Sequence, residues 1–298
     1  MKKTLFLLTI LLSFRTMAQP NIETASINTI KIKNHIHLLQ WAGAGNMMLL
    51  SGKDGNILID DQFAPLSEKI NAAVQAVSKG PVKFLFNTHY HGDHSGGNEN
   101  FAKMGAIIFA HENVRARMSV DTTKIRFRQK PKPTPEAAWP VITYKEGMTL
   151  HLNGEDVIIF HVDNAHTDGD VLFYLLQSNV LHTGDCFMKD RFPFIDNNSG
   201  GSVDGWLNAA SRALTLIDDE TVIMPGHGDL ATKKDYRTVR DAVMALRDAV
   251  RKEVKANTSL DGIIAKNLAK DYDTTFGSGF IKGDALIRTI YIEQVNKK

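Results

Sequence analysis

The sequence predicts an α+β protein, on three observations. Short apolar segments separated by glycine-rich turns predict a group of strands over residues 29–60. Apolar residues at helical spacing then alternate with further strand segments as far as residue 118. After an irregular stretch, a second group of strands begins at residue 141 and is followed by helices. Grouped strands combined with helices are typical of the α+β class.

The first half of the chain supplies one strand group and three helices. Strands are predicted at 29–39, 46–50 and 56–60, and the glycine-rich tip at 41–45 is either a flap over a site or an ordinary turn. The helix at 65–78 begins at its proline, a position where proline is tolerated. The elements that follow are a strand at 82–86, a helix at 98–103, a strand at 106–110 and a helix at 111–118.

The second half repeats this order of elements without repeating the sequence. Residues 119–140 are irregular, and their basic stretch at 124–130 predicts a solvated linker or a surface for an anionic partner. We expect this region to separate the two halves. The predicted strands are 141–144, 149–152, 157–161, 171–176, 179–183 and 221–224, with a long loop at 184–201. The predicted helices are 206–217, 239–254, 260–269 and 284–295.

The first 18 of the 298 residues are typical of a secretory signal peptide. Lys2 and Lys3 precede a short apolar run, and small residues precede Gln19. We therefore expect an exported, periplasmic or secreted protein with one catalytic domain over 19–298 and no stable membrane insertion. Removing three cations and no acid changes the formal charge from +2 to −1, which argues against a nucleic-acid partner. We expect a small-molecule substrate, while the oligomeric state stays open and a monomer is compatible with the sequence.

A histidine-rich segment after the apolar run 82–86 indicates a metal site. It places His89, His91, Asp93 and His94 within six residues. Regular structure at this spacing cannot point four ligands one way, so we expect a loop at the end of a strand. Imidazole and carboxylate ligands favour zinc or iron.

Three later segments also bring potential ligands to predicted strand ends. They are Ala-His-Thr-Asp-Gly-Asp with His166, Thr-Gly-Asp-Cys with Asp185 and Cys186, and Pro-Gly-His-Gly with His227. Ligands at strand ends beside glycine are how a sheet scaffold can assemble a site from distant parts of a chain.

In this order, the four segments resemble the signature of the metallo-β-lactamase superfamily. The resemblance covers nearly all of the sequence after the signal segment and implies an αββα sandwich, two β-sheets with helices outside. It also implies two Zn²⁺ ions as cofactors. By position, the first zinc is bound by His89, His91 and His166, and the second by Asp93, His94 and His227. Asp185 matches the carboxylate that bridges the metals in glyoxalase II-like members, and Asp93 is the expected catalytic residue that orients the attacking hydroxide.

The segment around Cys186 also resembles the cysteine-containing zinc β-lactamases. In those enzymes Cys186 corresponds to a zinc ligand, Lys189 to the lysine that pairs with the drug carboxylate, and Asn198 to an asparagine near the lactam carbonyl. A cysteine can instead be a small buried apolar residue beside the site. The sequence leaves open whether Cys186 binds zinc beside or instead of Asp185.

The resemblance predicts a zinc-dependent hydrolase, and β-lactam hydrolysis, hence antibiotic resistance, is the leading expectation. Zinc-generated hydroxide would open the lactam amide. The first alternative is hydrolysis of another ester, thioester, lactone or phosphodiester, since the complete glyoxalase-like ligand set is present. The second is a non-hydrolytic metal or redox protein on the same fold.

Overall fold

The computed structural model describes residues 22–41, 44–121 and 132–296. The expected signal peptide and the basic stretch at 124–130 lie outside these residues. Seven strands of the described part form the first sheet, in chain order. They are β1 Asn28–Lys33, β2 Ile36–Gln40, β3 Met47–Leu50, β4 Asn56–Ile59, β5 Val82–Phe86, β6 Ile107–His111 and β7 Ile142–Tyr144. The pairs from β1 to β4 are antiparallel, and those from β4 to β7 are parallel.

The second sheet of the described part has five strands. They are β8 Gly147–Leu152, β9 Glu155–His161, β10 Val171–Leu175, β11 Val180–His182 and β12 Val222–Met224. Their order is β12-β11-β10-β9-β8, in which β11 and β12 are parallel and the other pairs are antiparallel.

The described part of the chain contains nine α-helices. They are α1 Ser67–Val77, α2 Gly92–Ser95, α3 Asn98–Lys103, α4 Glu112–Met118, α5 Val203–Leu216, α6 Lys233–Lys255, α7 Leu260–Ala265, α8 Lys270–Phe276 and α9 Gly283–Val295. Within the described ranges, none of them combines the length and apolar character that crossing a membrane requires. Helices α1 and α3 pack on the first sheet, and α5, α6 and α9 on the second.

Side-chain alternation along the strands produces the layers. In β4, Ile57 and Ile59 face a core between the sheets, whereas Leu58 faces a second core beneath α1 and α3. The outer face of the second sheet packs against α5, α6 and α9, where Trp206 is completely buried. This arrangement confirms the predicted αββα sandwich.

Three predicted elements differ from the structure. The predicted strand at 29–39 is a hairpin of β1 and β2, because Asn34 adopts a positive φ of 41° and turns the chain. Strand β7, predicted to open the second strand group, pairs with β6 instead, so the first sheet continues beyond the expected boundary. The predicted helix 260–269 ends at Ala265, since Asn267 has a φ of 52°, and α8 follows.

The topology brings five strand ends to one edge of the sandwich. Strands β4 and β5 are parallel to each other, as are β9, β11 and β12 through their shared neighbours. The segments that leave β5, β9, β11 and β12 carry the histidines and acids predicted to bind metal, and β4 is followed by Asp60.

Candidate metal centre

A first group of candidate ligands lies beyond the ends of β5, β9 and β11. It consists of His89, His91, His166 and Asp185, whose ligand atoms all lie within 4.8 Å of one another. His166 Nε2 lies 2.8 Å from His91 Nδ1 and 3.5 Å from Asp185 Oδ2. All but the half-buried His91 are buried. The structure therefore brings these predicted ligands into a set that could hold one metal ion.

The second group of candidate ligands lies on the other side of Asp185. It consists of Asp93 and His94, both in α2, and His227 after β12. Asp185 Oδ1 lies 3.2 Å from His94 Nε2 and 3.3 Å from His227 Nε2, and His227 Nε2 is also 3.3 Å from Asp93 Oδ2. Asp185 thus presents one carboxylate oxygen to each group, as a bridging ligand must.

Hydrogen bonds on the outer side of the first group set the tautomers of its histidines. His91 Nε2 lies 2.9 Å from Asp196 Oδ2, and His166 Nδ1 donates to the Phe194 carbonyl at 2.7 Å. The facing nitrogens, His91 Nδ1 and His166 Nε2, therefore both carry lone pairs. Two lone pairs 2.8 Å apart repel each other, and a cation bound by both nitrogens would remove that repulsion.

Asp60, which the sequence analysis missed, supports ligands of both groups. Its carboxylate lies 2.7 Å from His94 Nδ1 and accepts hydrogen bonds from the Thr88 amide and hydroxyl, each at 2.7 Å. Because that hydroxyl donates to Asp60, it accepts from His89 Nδ1 at 3.0 Å. Both histidines then present Nε2 lone pairs to the metal groups. The signal was present in the sequence, since Asp60 directly follows the buried strand β4.

Two buried polar atoms test whether the groups fit a metal. His89 Nε2 and Asp185 Oδ1 are buried and have no hydrogen-bond partner in the described chain. Such an atom costs about 1–3 kcal/mol when it is left unsatisfied. Imidazole nitrogens and carboxylate oxygens are ligands that zinc prefers, and zinc is commonly bound by three or four of them. The donor set therefore fits two zinc ions.

The electrostatics give His89 and the two acids, but not His94 and His227, the protonation states that metal binding requires. Burial holds the pKa of His89 well below its ordinary value, so its imidazole is neutral. Burial raises the pKa of Asp93, but His94 and His227 outweigh it and lower the value to about 2. The same two histidines outweigh burial at Asp185 and hold its pKa well below the usual range. Neutral imidazoles and ionised carboxylates are the metal-binding forms. Burial lowers the pKa of His94 and His227, but Asp185 and Asp93 outweigh it and raise the pKa of His94 well above its ordinary value and that of His227 to about 9. Metal binding at the second group would therefore displace protons from these two imidazoles.

Glycines leave the space that the ligands occupy. A Cβ on Gly226 would lie 2.0 Å from Asp185 Oδ1, and one on Gly45 would lie 2.5 Å from the Asp93 carbonyl oxygen. Gly226, in the Pro-Gly-His-Gly segment, therefore allows the backbone before His227 to approach the bridging carboxylate.

Comparison with known proteins identifies the family. A sequence model of the metallo-beta-lactamase superfamily matches residues 41–227, which is more than half of the chain. The chain belongs to the metallo-beta-lactamase superfamily. It is 22% identical over 239 residues to metallo-beta-lactamase IND-1 of Chryseobacterium indologenes, covering 77% of this chain and 93% of that protein. It is 24% identical over 210 residues to a hydroxyacylglutathione hydrolase of Polaromonas sp., covering 67% of this chain and 70% of that protein.

Solved structures share the superfamily fold. A metallo-beta-lactamase from Pontibacter korlensis matches with a TM-score of 0.59 and 20% identity, over 74% of this chain and 99% of that one. The inverting sec-alkylsulfatase Pisa1 from Pseudomonas sp. matches with a TM-score of 0.69 and 17% identity, over 90% of this chain and 50% of that one. At these identities the matches show the fold alone.

The three residues that suggested a cysteine-containing β-lactamase lie outside both ligand groups, although the Lys189 amide donates to the carbonyl of His227 at 3.4 Å. Cys186 is buried in the core under α5 and α6 and belongs to neither ligand group. Lys189 donates from Nζ to the Leu230 carbonyl at 2.9 Å. Asn198 is exposed in a 3₁₀ turn. Neither Lys189 nor Asn198 lines the cavity at the centre.

A cavity of about 440 Å³ opens onto both ligand groups. Its floor contains His91, Asp93, Asp185 and His227. Its walls are mainly apolar side chains from the loop after β11 and the turn between α8 and α9: Met188, Phe192, Phe194, Phe280 and Ile281. Arg191 contributes a guanidinium to this lining. These wall residues lie in loops without regular spacing, so no pattern in the sequence indicated them.

Proposed function

We propose that this member of the superfamily is a di-zinc hydrolase of an ester, thioester, lactone or phosphodiester. The observation that carries the proposal is the placement of Asp185, with Oδ2 toward the three histidines of the first group and Oδ1 toward His94 and His227. Two cations held close together repel each other, and a bridging carboxylate reduces that repulsion.

The residues of the chain would divide the work as follows. His89, His91 and His166 would hold one zinc, and Asp93, His94 and His227 the other, with Asp185 shared. When bound, zinc would supply a water of pKa near 7 and a Lewis acid for the substrate oxygen. Asp93 stays ionised and lines the cavity, so it can accept a hydrogen bond from the attacking water and orient it.

The arrangement of the second group of ligands supports hydrolysis of an ester, thioester, lactone or phosphodiester over hydrolysis of a β-lactam. With Asp93, His94, His227 and Asp185 assembled, that group already has four ligands without Cys186. Lys189, the expected anchor for a drug carboxylate, is engaged with a backbone carbonyl.

β-Lactam hydrolysis is the second candidate function. The similarity to metallo-beta-lactamase IND-1, which extends over 77% of this chain, favours it. A water activated in the same site can attack a lactam carbonyl, so the two candidates differ in substrate recognition rather than in metal chemistry. A redox role has less support, because histidines fill the ligand positions that redox members of the fold replace with carboxylates.

Substrate-panel kinetics with the zinc-loaded protein test these alternatives. The panel contains an aryl ester, a thioester, a lactone, a phosphodiester, a penicillin, a cephalosporin and a carbapenem. We expect turnover of one of the first four and weak or no β-lactam cleavage. Asp185→Asn should lower kcat/KM at least about 100-fold, since several kcal/mol of transition-state stabilisation depend on the metals. Asp229→Asn, an exposed acid outside the cavity, is the matched control. Turnover of β-lactams alone would favour the second candidate, and no turnover at all would contradict both.

Export after cleavage before Gln19 is a separate proposal. Its support is the charged start, apolar run and small residues of 1–18. Sequencing the amino terminus of protein recovered from the periplasm or medium should give Gln19, whereas recovery of the intact chain from the cytoplasm would refute it.

A further inference from the structure

The turn between α8 and α9 forms one wall of the cavity over the candidate metal centre. Phe280 of this turn is 86% exposed, although it lines the cavity. Its ring meets that of Phe194 edge to face, with centroids 6.1 Å apart. Phe194 in turn lies 6.1 Å from the His91 ring and 5.6 Å from the His166 ring. Two phenyl rings therefore extend outward from the metal ligands and leave apolar surface for a substrate to cover.

The turn is joined to the loop that carries Arg191. The Phe192 amide donates to the Phe276 carbonyl at 3.3 Å, and the two rings pack 5.6 Å apart. Gly279 lies against the Arg191 side chain, since a Cβ there would come within 3.0 Å of Cγ and 3.1 Å of Cδ. The alkyl part of Arg191 is thus held beside the phenyl rings.

The guanidinium of Arg191 is available to a ligand. Among the described residues it has no ion pair and no hydrogen bond, although it lies in a half-buried position at the cavity. The forked donors of arginine match the two oxygens of a carboxylate. A single guanidinium supplies one positive charge, which one carboxylate of a ligand neutralises.

We propose that the substrate carries an aryl or acyl group and one carboxylate, with Phe194 and Phe280 binding the apolar part and Arg191 the carboxylate. This inference deepens the proposed hydrolase function and rests on it for the identity of the cavity as the active site. Phe280 and Arg191 are specificity-determining residues, because they bind the substrate beside the bond that is cleaved.

Binding measurements on the zinc-loaded protein test this substrate class without requiring turnover. The probes are 4-phenylbutyrate, its neutral counterpart 4-phenylbutan-1-ol, and acetate, which keeps the carboxylate without the ring. By titration calorimetry, we expect 4-phenylbutyrate to bind about tenfold more tightly than the alcohol, because it adds one charge-assisted contact. Acetate should bind far more weakly than 4-phenylbutyrate. Equal affinities for acetate and 4-phenylbutyrate would show that zinc alone captures the carboxylate and would overturn the proposal.

Variants assign the two contributions. Arg191→Gln should remove the tenfold preference for the acid, while Arg237→Gln, an exposed cation on α6 outside the cavity, should retain it. Phe280→Ala should weaken the acid and the alcohol alike, by about tenfold, and Phe280→Leu should weaken them less. An unchanged preference in Arg191→Gln would overturn the role of the arginine, and unchanged affinities in Phe280→Ala would overturn that of the ring.

Kinetics with matched esters separate this inference from the proposed function. We expect the monoester of adipic acid with 4-nitrophenol to have about tenfold higher kcat/KM than 4-nitrophenyl hexanoate, and Arg191→Gln to equalise them through KM. Arginine-dependent binding of 4-phenylbutyrate without hydrolysis of any panel substrate would contradict the hydrolase but not the ligand class. If the charged and the neutral ester were hydrolysed with the same kcat/KM, and Phe280→Ala left that value unchanged, the proposed ligand class would be contradicted while the hydrolase function would stand.

Discussion

Replacing Asp60 by asparagine removes one buried hydrogen-bond acceptor while keeping the shape of the side chain. In the native protein the carboxylate serves three donors: His94 Nδ1, the Thr88 amide and the Thr88 hydroxyl, each at 2.7 Å. In place of the two carboxylate oxygens, an asparagine side chain has one oxygen and one NH₂ group. If the NH₂ faces His94, the imidazole proton must move to Nε2, the atom aimed at the second ligand group. If the amide flips, the NH₂ faces the Thr88 amide and leaves a donor unpaired.

Either orientation has a measurable cost. A buried donor left without a partner costs about 1–3 kcal/mol of unfolding free energy. Loss of an outer hydrogen bond to a ligating histidine typically lowers metal affinity about 10- to 100-fold. We therefore expect Asp60→Asn to fold, to bind one zinc almost normally and to bind the other about 10- to 100-fold more weakly.

Zinc competition with a chromophoric chelator, together with urea unfolding, measures both effects. Asp61→Asn is the matched control, because Asp61 is equally buried but accepts from the Gly97 amide rather than from a candidate ligand. Burial also raises the pKa of Asp61 well above its usual value, so its neutral replacement should keep both zincs. Two zincs bound with unchanged affinity in Asp60→Asn would refute the tautomer argument.

Three further substitutions test the site and the fold. Gly226→Ala places a Cβ 2.0 Å from Asp185 Oδ1 and should abolish binding of at least one zinc by metal analysis, whereas Gly92→Ala, with 3.9 Å to its nearest neighbour, should retain both. Burial, and then a stacked histidine, lower the pKa of His111 from 6.5 to about 4. Between pH 6.5 and 4 the imidazole of His111 is protonated in the unfolded chain but not in the folded protein, so unfolding takes up a proton. The free energy of unfolding therefore falls as the pH falls through this range. The native protein should lose up to about 2 kcal/mol more unfolding free energy between pH 7 and pH 4.5 than His111→Asn does. Equal losses in the two proteins would contradict the lowered pKa of His111. Phe86→Ala, which removes a ring packed against two others between the sheets, should cost about 3–5 kcal/mol in urea unfolding, and a cost under 1 kcal/mol would contradict its place in the core.

The resemblance to the superfamily implied the layers of the fold, whereas the regular pattern that burial leaves in the sequence predicted the individual elements. Alternation along strands and helical spacing on amphipathic helices identified most elements to within a few residues. Pairing between strands leaves no such local pattern. The strand β7 was therefore assigned to the wrong strand group, since nothing in Ile142–Tyr144 states that its partner is β6. The turns at Asn34 and Asn267 were missed because asparagine permits positive φ without requiring it.

The candidate ligands could be predicted because their chemistry is concentrated in short motifs at strand ends. The residues that support them are dispersed. Asp196, which contacts His91, and Arg191 both lie in the long loop after β11, where neither spacing nor composition indicates a role. Lys189 and Asn198 were predicted to bind substrate from their positions relative to a family motif, and neither belongs to the cavity lining. The residues that line the cavity could therefore be identified only from the three-dimensional arrangement.

Anomalous diffraction at the zinc edge from crystals of the zinc-loaded protein tests the two-metal centre most directly. We expect two peaks about 3.5–4 Å apart, one beside each ligand group, with the carboxylate of Asp185 between them. A single peak, or two peaks of which only one contacts Asp185, would contradict the bridged centre.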